Sequence, residues 1–187
     1  MANVRHKIIT MPRLQSAMDD VVEELDHNGL WNDRLFKVEV FLTWFGAPYG
    51  SQLYRGSGHI EIPAVSLSRV NELIFGGPRR TLRDLLRHEY GHAVADTNRA
   101  LIRSRRFADV FGTPHDSEIQ ADYSKEEHLS DYAATDSSED FAEVFMHYLK
   151  HSGKIPDRFK TRKIERKWQF VSRLCQRIAD GKRRWDV

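Results

Sequence analysis

Two histidines and a glutamate within one helical segment place the strongest constraint on this chain. Residues 87 to 92 read R-H-E-Y-G-H, which contains the pattern H-E-x-x-H. Side chains four residues apart share a helix face, so His88 and His92 would point the same way and could bind one Zn²⁺ ion. Glu89 would lie beside the metal, where it could take a proton from a water molecule that the zinc activates. The alternative is an ordinary helix that exposes all three side chains to solvent.

The flanking residues predict a helix that would hold this pattern rigidly. An apolar-periodic run extends from Thr81 to about Arg99, and Thr81 with Asp84 resembles an N-terminal capping box. The apolar side of this helix is formed by Leu82, Leu85, Leu86, Ala93 and Val94. Gly91 costs about 1 kcal/mol in helix propensity relative to alanine. It therefore indicates a close approach of the substrate or of another backbone, or a tight contact between packed helices.

Length and composition favour one soluble domain that spans residues 1–187. We expect this domain to be a monomer. The chain has 40% hydrophobic and 30% charged residues, as globular domains do, and no apolar run of about 18 residues that would predict a membrane span. Met1 to Thr10 lack the apolar core of a signal peptide, so we expect a cytoplasmic protein, although secretion without a signal remains open. Cys175 is the single cysteine, so a zinc site must use histidine and carboxylate ligands.

The remaining pattern predicts an α+β fold with a small twisted sheet. Leu35 to Phe45 is rich in β-branched and aromatic residues and predicts a central strand. His59 to Pro63 predicts a short strand, and Pro63 favours a sheet edge or a strand end because proline cannot donate a backbone hydrogen bond. Such an edge along the cleft could bind an extended peptide by backbone pairing. The alternative is that it is simply the last strand of the sheet.

Helical periodicity recurs on both sides of this region. The further predicted helices are Met11 to His27, Ser66 to Phe75, Ser137 to His151 and Asp157 to Asp180. Arg99 to Phe111 is predicted to be an exposed helical continuation, and Gly112 to Ser130 an irregular surface segment. We therefore expect the sheet to pack on the H-E-x-x-H helix and on C-terminal helices.

A catalytic zinc site usually has three protein ligands, so one ligand besides the histidines is needed. Residues 138 to 143 read S-E-D-F-A-E and offer Glu139, Asp140 and Glu143. Glu139 and Glu143 share one helix face, and Glu139 lies in the first turn, where free N–H groups favour a charged carboxylate. The alternative is that Glu139 belongs to a capping box with Asp136 and that Glu143 is a surface acid. Spacing alone leaves the third ligand open.

The combined pattern resembles the gluzincin class of zinc metallopeptidases, in particular the anthrax lethal factor catalytic domain and the bacterial Pro-Pro endopeptidases. In these proteins a tyrosine precedes the ligand glutamate by seven residues and a second glutamate follows it by four. Tyr132, Glu139 and Glu143 reproduce both spacings. The resemblance extends from Thr81 to about Leu149. The chain is much shorter than lethal factor, so the resemblance implies nothing about the toxin's delivery or docking regions.

The resemblance implies a zincin-like fold and a zinc-dependent endopeptidase. The implied zinc ligands are His88, His92 and Glu139. Glu89 would be the general base, Tyr132 would donate a hydrogen bond to the oxyanion, and Glu143 would orient a ligand histidine. Tyr123 is a competing candidate for the role of Tyr132. The expected reaction is hydrolysis of an extended peptide or protein substrate by a zinc-activated water.

The C-terminal region is strongly basic. From Lys150 to Val187 there are thirteen lysines and arginines against four acids, a balance of +9, whereas the preceding 149 residues carry −7. This region could contact nucleic acid or an anionic surface, but a solvated helix face is the simpler interpretation.

Three alternatives to an active zinc peptidase of unknown substrate stay open. They are an inactive relative with a structural zinc, a peptidase whose basic helix docks on DNA-bound proteins such as repressors, and a nucleic-acid-binding module.

Overall fold

The computed structural model describes residues 8–47, 49–50, 58–66 and 80–186, and it has an α+β architecture. The helices are α1 (Met11–His27), α2 (Leu82–Thr97), α3 (Arg99–Ile102), α4 (Arg105–Phe111), α5 (Ser137–Lys150) and α6 (Arg162–Ala179). The strands are β1 (Val38–Gly46), β2 (Tyr49–Gly50) and β3 (Gly58–Ser66). The helix predicted from Ser66 to Phe75 lies, apart from Ser66 at the end of β3, outside the described residues.

The positions of the two predicted strands within the sheet differ from those predicted. β1 runs parallel to β3, and the two residues of β2 pair antiparallel with Ile60 and Glu61 of β3, which gives the order β1-β3-β2 among the described strands. β1 was predicted to be central and instead lies at one edge of this sheet. Pro63 predicted a sheet edge or the end of a strand, whereas β3 continues to Ser66 and has partners on both sides at Ile60 and Glu61. Further along β3, Ala64 accepts a hydrogen bond from the backbone N–H of Ile9, so an incoming peptide would meet an occupied strand there as well.

The aromatic residues of β1 explain why its position was misjudged. Phe41, Trp44 and Phe45 are 48%, 79% and 56% exposed, so much of the apolar run does not face the core. An apolar run indicates extended structure, but it does not show how many neighbouring strands cover it. The order of the strands therefore could not be inferred from composition.

The core lies between the sheet, α1 and the three longest helices after it. Ile60 and Ile62 of β3 belong to the same hydrophobic cluster as Leu86 and Tyr90 of α2. The periodic apolar residues that predicted α6 are buried as expected, namely Ile164, Trp168, Val171, Leu174 and Ile178. None of the helices in the described part of the chain is both long and apolar enough to cross a lipid bilayer.

Two helical predictions need correction. The segment from Arg99 to Phe111 forms two short helices rather than one, and α4 begins where Ser104 caps the backbone N–H of Phe107. This segment is also not simply exposed, because Leu101 and Phe107 are fully buried. The C-terminal helix begins at Arg162, capped by Thr161, after a separate 3₁₀ turn at Asp157–Phe159.

Candidate metal centre

The helix that carries His88 and His92 is fixed at its start. Thr81 accepts a hydrogen bond from the Asp84 N–H, and the Asp84 carboxylate accepts one from the Thr81 N–H, as the predicted capping box requires. Arg87 then binds Glu24 of α1 through two hydrogen bonds of 2.6 and 2.7 Å. A helix held by a cap and by a bidentate ion pair can present its other face in a defined position.

Three donor atoms converge between α2 and α5. His88 Nε2 lies 3.0 Å from Glu139 Oε2, His92 Nε2 lies 3.4 Å from the same oxygen, and the two Nε2 atoms are 3.3 Å apart. Ligands at the usual zinc distances of about 2.0–2.1 Å in a tetrahedron are separated by about 3.3–3.4 Å. The nitrogen and oxygen donors and their separations therefore fit one zinc ion, and they form a candidate metal site.

Glu143 lies behind this group, on the far side of the His88 ring. Its Oε1 is 3.1 Å from His88 Nδ1 and 2.7 Å from an Nη of Arg80, while its Oε2 accepts a hydrogen bond of 2.8 Å from Ser130. The Glu143 carboxylate is buried, with 2% of the side chain exposed. The Glu143 carboxylate can accept a hydrogen bond from the Nδ1–H of His88, so that Nε2 is the ring nitrogen that faces the candidate site.

The electrostatics of the group favour charged carboxylates beside the histidines. Burial alone would lower the pKa of His88, but its hydrogen bonds to Glu139 and Glu143 outweigh burial and raise that pKa to about 9. Burial alone would raise the pKa of Glu139, but hydrogen bonds to His88 and His92 bring it well below its ordinary value. The two carboxylates thus supply negative charge that a proton on His88 balances here and that a divalent cation could balance instead.

Glu89 and Tyr132 both lie close enough to the candidate ligand residues for their charges to affect each other's pKa. Glu89 is 6% exposed, and burial is the main reason that its pKa is raised, while the charges of His88 and His92 act in the opposite direction. The Tyr132 ring lies 5.8 Å from the His88 ring and is 45% exposed. Burial, followed by the charge of Glu139, raises the pKa of the Tyr132 hydroxyl, so it is a protonated donor at neutral pH.

A close helix–helix contact brings the two halves of the site together. A Cβ atom placed on Gly91 would lie 3.2 Å from both Ala142 Cα and Phe145 Cδ1 of α5. The sequence left open whether Gly91 admits the substrate or a second helix, and the structure shows that it faces a second helix. Because α5 approaches α2 this closely, Glu139 can reach the two histidines.

Comparison with known proteins agrees with this geometry. A family model described as "putative zinc-binding metallo-peptidase" matches residues 68–165, which is more than half of the chain and includes every residue of the candidate site. The chain belongs to this metallopeptidase family. Zn²⁺ is its cofactor, and His88, His92 and Glu139 form the candidate site for it. No curated protein and no solved structure matches the chain.

The two alternative site residues of this metallopeptidase, Asp140 and Tyr123, contact other side chains. Asp140 Oδ2 lies 2.5 Å from Lys167 Nζ of α6, in a buried ion pair directed away from the histidines. The Tyr123 ring lies 6.4 Å from the ring of His128, whereas Tyr132 packs against His88. The proximity of side chains thus favours Glu139 over Asp140 and Tyr132 over Tyr123.

Sequence patterns did not reveal Arg80 or Ser130. Arg80 binds Glu143, which is 63 residues later, and its guanidinium carbon lies 5.1 Å from the centre of the Tyr132 ring. The Ser130 hydroxyl oxygen also accepts a hydrogen bond from the Ala133 N–H, which fixes the turn that contains Tyr132. Both residues lie outside the described helices, where no periodic spacing connects a side chain to its partner.

Proposed function

We propose that this metallopeptidase hydrolyses internal peptide bonds of an extended peptide or protein substrate. The observation that carries the proposal is the convergence of His88 Nε2, His92 Nε2 and Glu139 Oε2 within 3.0–3.4 Å of one another. Three protein ligands leave a fourth tetrahedral position open, as in catalytic rather than structural zinc sites. Zinc bound there would supply Lewis acidity that polarises the peptide carbonyl and activates water.

Glu89 is proposed as the general base. Its position one residue after His88 places it beside the ligand face of α2 rather than on it. Burial raises its pKa above that of an exposed glutamate, which makes the carboxylate a better proton acceptor. The carboxylate would accept a proton from the attacking water and pass it to the nitrogen of the leaving amine.

Tyr132 is proposed as the donor to the oxyanion of the tetrahedral intermediate. The raised pKa keeps its hydroxyl protonated, and its exposed fraction of 45% leaves it accessible to a substrate. Arg80, over the face of the ring, would hold the tyrosine in place. A hydroxyl positioned before the reaction stabilises the developing charge without reorganisation during the reaction.

We also propose that the chain forms one zincin-like domain over residues 1–187 and belongs to the gluzincin class. Two observations support this. The third candidate zinc ligand is a glutamate, Glu139, on the later helix α5, and the spacing of Tyr132, Glu139 and Glu143 matches that class. Pairing of the substrate with a free β3 edge is not part of this proposal, because β3 has a partner on each side at Ile60 and Glu61.

Digestion of a proteome-derived peptide library tests the activity. The zinc-loaded protein should cleave library peptides, and Glu89→Gln should retain zinc but cleave none, because glutamine has a similar shape and cannot accept the proton. Tyr132→Phe should retain zinc and reduce kcat by about 10²–10³-fold, the usual loss for one oxyanion donor.

The matched control is Tyr123→Phe, which removes a hydroxyl from the same irregular segment and should leave the rate unchanged. Cleavage that survives in Glu89→Gln would contradict the proposed mechanism. A library left intact by the zinc-loaded wild type would contradict the proposed activity.

A further inference from the structure

A basic groove lies between α4 and α6, apart from the metal centre. It has a volume of about 340 Å³, and the described residues that line it are Arg106, Asp109, Val110, Arg166, Gln169, Phe170, Arg173 and Trp185. We propose that this groove, called here the arginine groove, is a docking surface for the phosphate backbone of double-stranded DNA.

The charge of the arginine groove is complementary to a polyanion. Arg106, Arg166 and Arg173 come from both of its walls, and Asp109 is the single acid among the described lining residues. Arg105 and Arg162, next to it on the same two helices, are also exposed. The groove therefore combines two arginines of the basic C-terminal region, Arg166 and Arg173, with Arg106 of α4.

The basic side chains of α6 form a row along one helix face. Arg162, Arg166 and Arg173 are separated by four and seven residues, and that spacing keeps them on one side of an α-helix. At 1.5 Å per residue the row is about 17 Å long. One strand of duplex DNA offers a phosphate about every 3.4 Å along the axis, so the row spans about five base pairs.

Part of this surface is held in place before any ligand binds. The guanidinium carbon of Arg106 lies 5.4 Å from the centre of the Trp185 ring, and the Trp185 Nε1–H donates to Leu101 O at 2.8 Å. Arg166 donates to the backbone oxygen of Asp109 across the groove. Arginines that are already oriented lose less side-chain entropy when they bind phosphate.

The aromatic residues of the groove favour a duplex over the other polyanions. Arg106 covers one face of Trp185, the Phe170 ring lies 5.4 Å from the Trp185 ring, and Phe170 is only 5% exposed, which disfavours the base stacking that single-strand binding requires. The apolar residues among the described lining, Val110, Phe170 and Trp185, are all at least partly buried, which argues against insertion into an anionic membrane. Contact with phosphates alone also predicts binding that does not depend on base sequence.

Fluorescence anisotropy with a labelled duplex of two helical turns tests the proposal. The wild type should bind the duplex more tightly than a single strand of the same length, and the affinity should fall steeply with salt. The double variant Arg166→Gln/Arg173→Gln should bind at least about tenfold more weakly, with a salt slope reduced by about two, because two phosphate contacts are lost.

The control Arg83→Gln/Lys154→Gln makes the same change in net charge outside the groove and should bind like the wild type. Arg166→Lys/Arg173→Lys keeps the charge and should retain most of the affinity, which separates a lost contact from misfolding. Equal weakening of the control would overturn the proposal, as would absence of duplex binding at low salt. Tighter binding to a single strand, or to vesicles containing phosphatidylglycerol, would assign the groove to a different partner and would equally overturn it. None of these outcomes depends on peptidase activity.

Discussion

At the scale of single residues, the carboxylate of Glu143 holds together the group behind the metal centre. It accepts hydrogen bonds from Arg80 and Ser130 and lies 3.1 Å from His88 Nδ1. These contacts compensate for the cost of burying its charge, and they keep its pKa below the ordinary value of a glutamate. Glu143 thus connects the position of His88 to Arg80, and through Arg80 to the Tyr132 ring.

Replacement of this carboxylate by an amide is predicted to weaken zinc binding without removing a ligand. Glu143→Gln preserves the shape of the side chain but loses the charge that fixes the His88 tautomer, so the zinc affinity should fall about 10–100-fold. Competition with a chromophoric chelator measures this change. Glu126→Gln, at an exposed position, is the matched control and should keep the wild-type affinity. An unchanged affinity in Glu143→Gln would show that His88 does not need this partner.

At the scale of secondary-structure elements, the contact between α2 and α5 determines the geometry of the site. His88 and His92 lie on one helix and Glu139 on the other, so the separation of the helices sets the distance between the donors. Gly91 is a point of close contact between them, since a Cβ atom added to it would lie 3.2 Å from Ala142 Cα. We therefore expect side-chain volume at residue 91 to affect both helix packing and zinc affinity.

Gly91→Ala is predicted to loosen the zinc site. Alanine is favoured over glycine in a helix by about 1 kcal/mol, so the variant would be more stable if α5 could yield freely. The contact is with a backbone atom, however, and we expect the helices to separate by a few tenths of an ångström and the zinc affinity to fall. Isothermal titration with zinc, together with the midpoint of denaturation, measures both effects. A variant that is more stable and binds zinc as tightly as the wild type would contradict this account.

Sequence patterns predicted these two helices well because each has a cap and a periodic apolar stripe. Thr81 and Asp136 cap the backbone N–H groups at the helix starts, as their positions in the sequence indicated. The sheet was predicted less well, since a two-residue strand such as Tyr49–Gly50 has no recognisable pattern. Arg80 was not recognised for a related reason, because its partner Glu143 becomes its neighbour only through the tertiary fold.

At the scale of the whole molecule, the C-terminal helix supports the metal centre as well as forming the arginine groove. Phe170 packs against Phe107 of α4, and the buried Lys167–Asp140 ion pair connects α6 to the first turn of α5, next to Glu139. On the basis of these contacts we propose that the basic segment is part of the same folding unit as the metal centre.

Removal of α6 is predicted to abolish the fold and the metal site together. A chain that ends at Ile155 loses buried side chains such as Trp168 and Val171 and leaves the Asp140 carboxylate buried without its cation. It should show no cooperative thermal unfolding and no stoichiometric zinc binding by calorimetry and titration. The full-length chain with Gln169→Ala, an exposed position on α6, should behave like the wild type. A truncated chain that unfolds cooperatively and binds zinc would show that α6 is a separate unit.

The zinc content of purified protein tests the central claim most directly. Elemental analysis after expression with ample zinc should find about one zinc per chain in the wild type and in the exposed-site control Glu118→Ala. Glu139→Ala should contain little or none, because two imidazoles alone do not complete the site. A wild type without zinc, or a Glu139→Ala variant that retains one zinc per chain, would contradict the site described here.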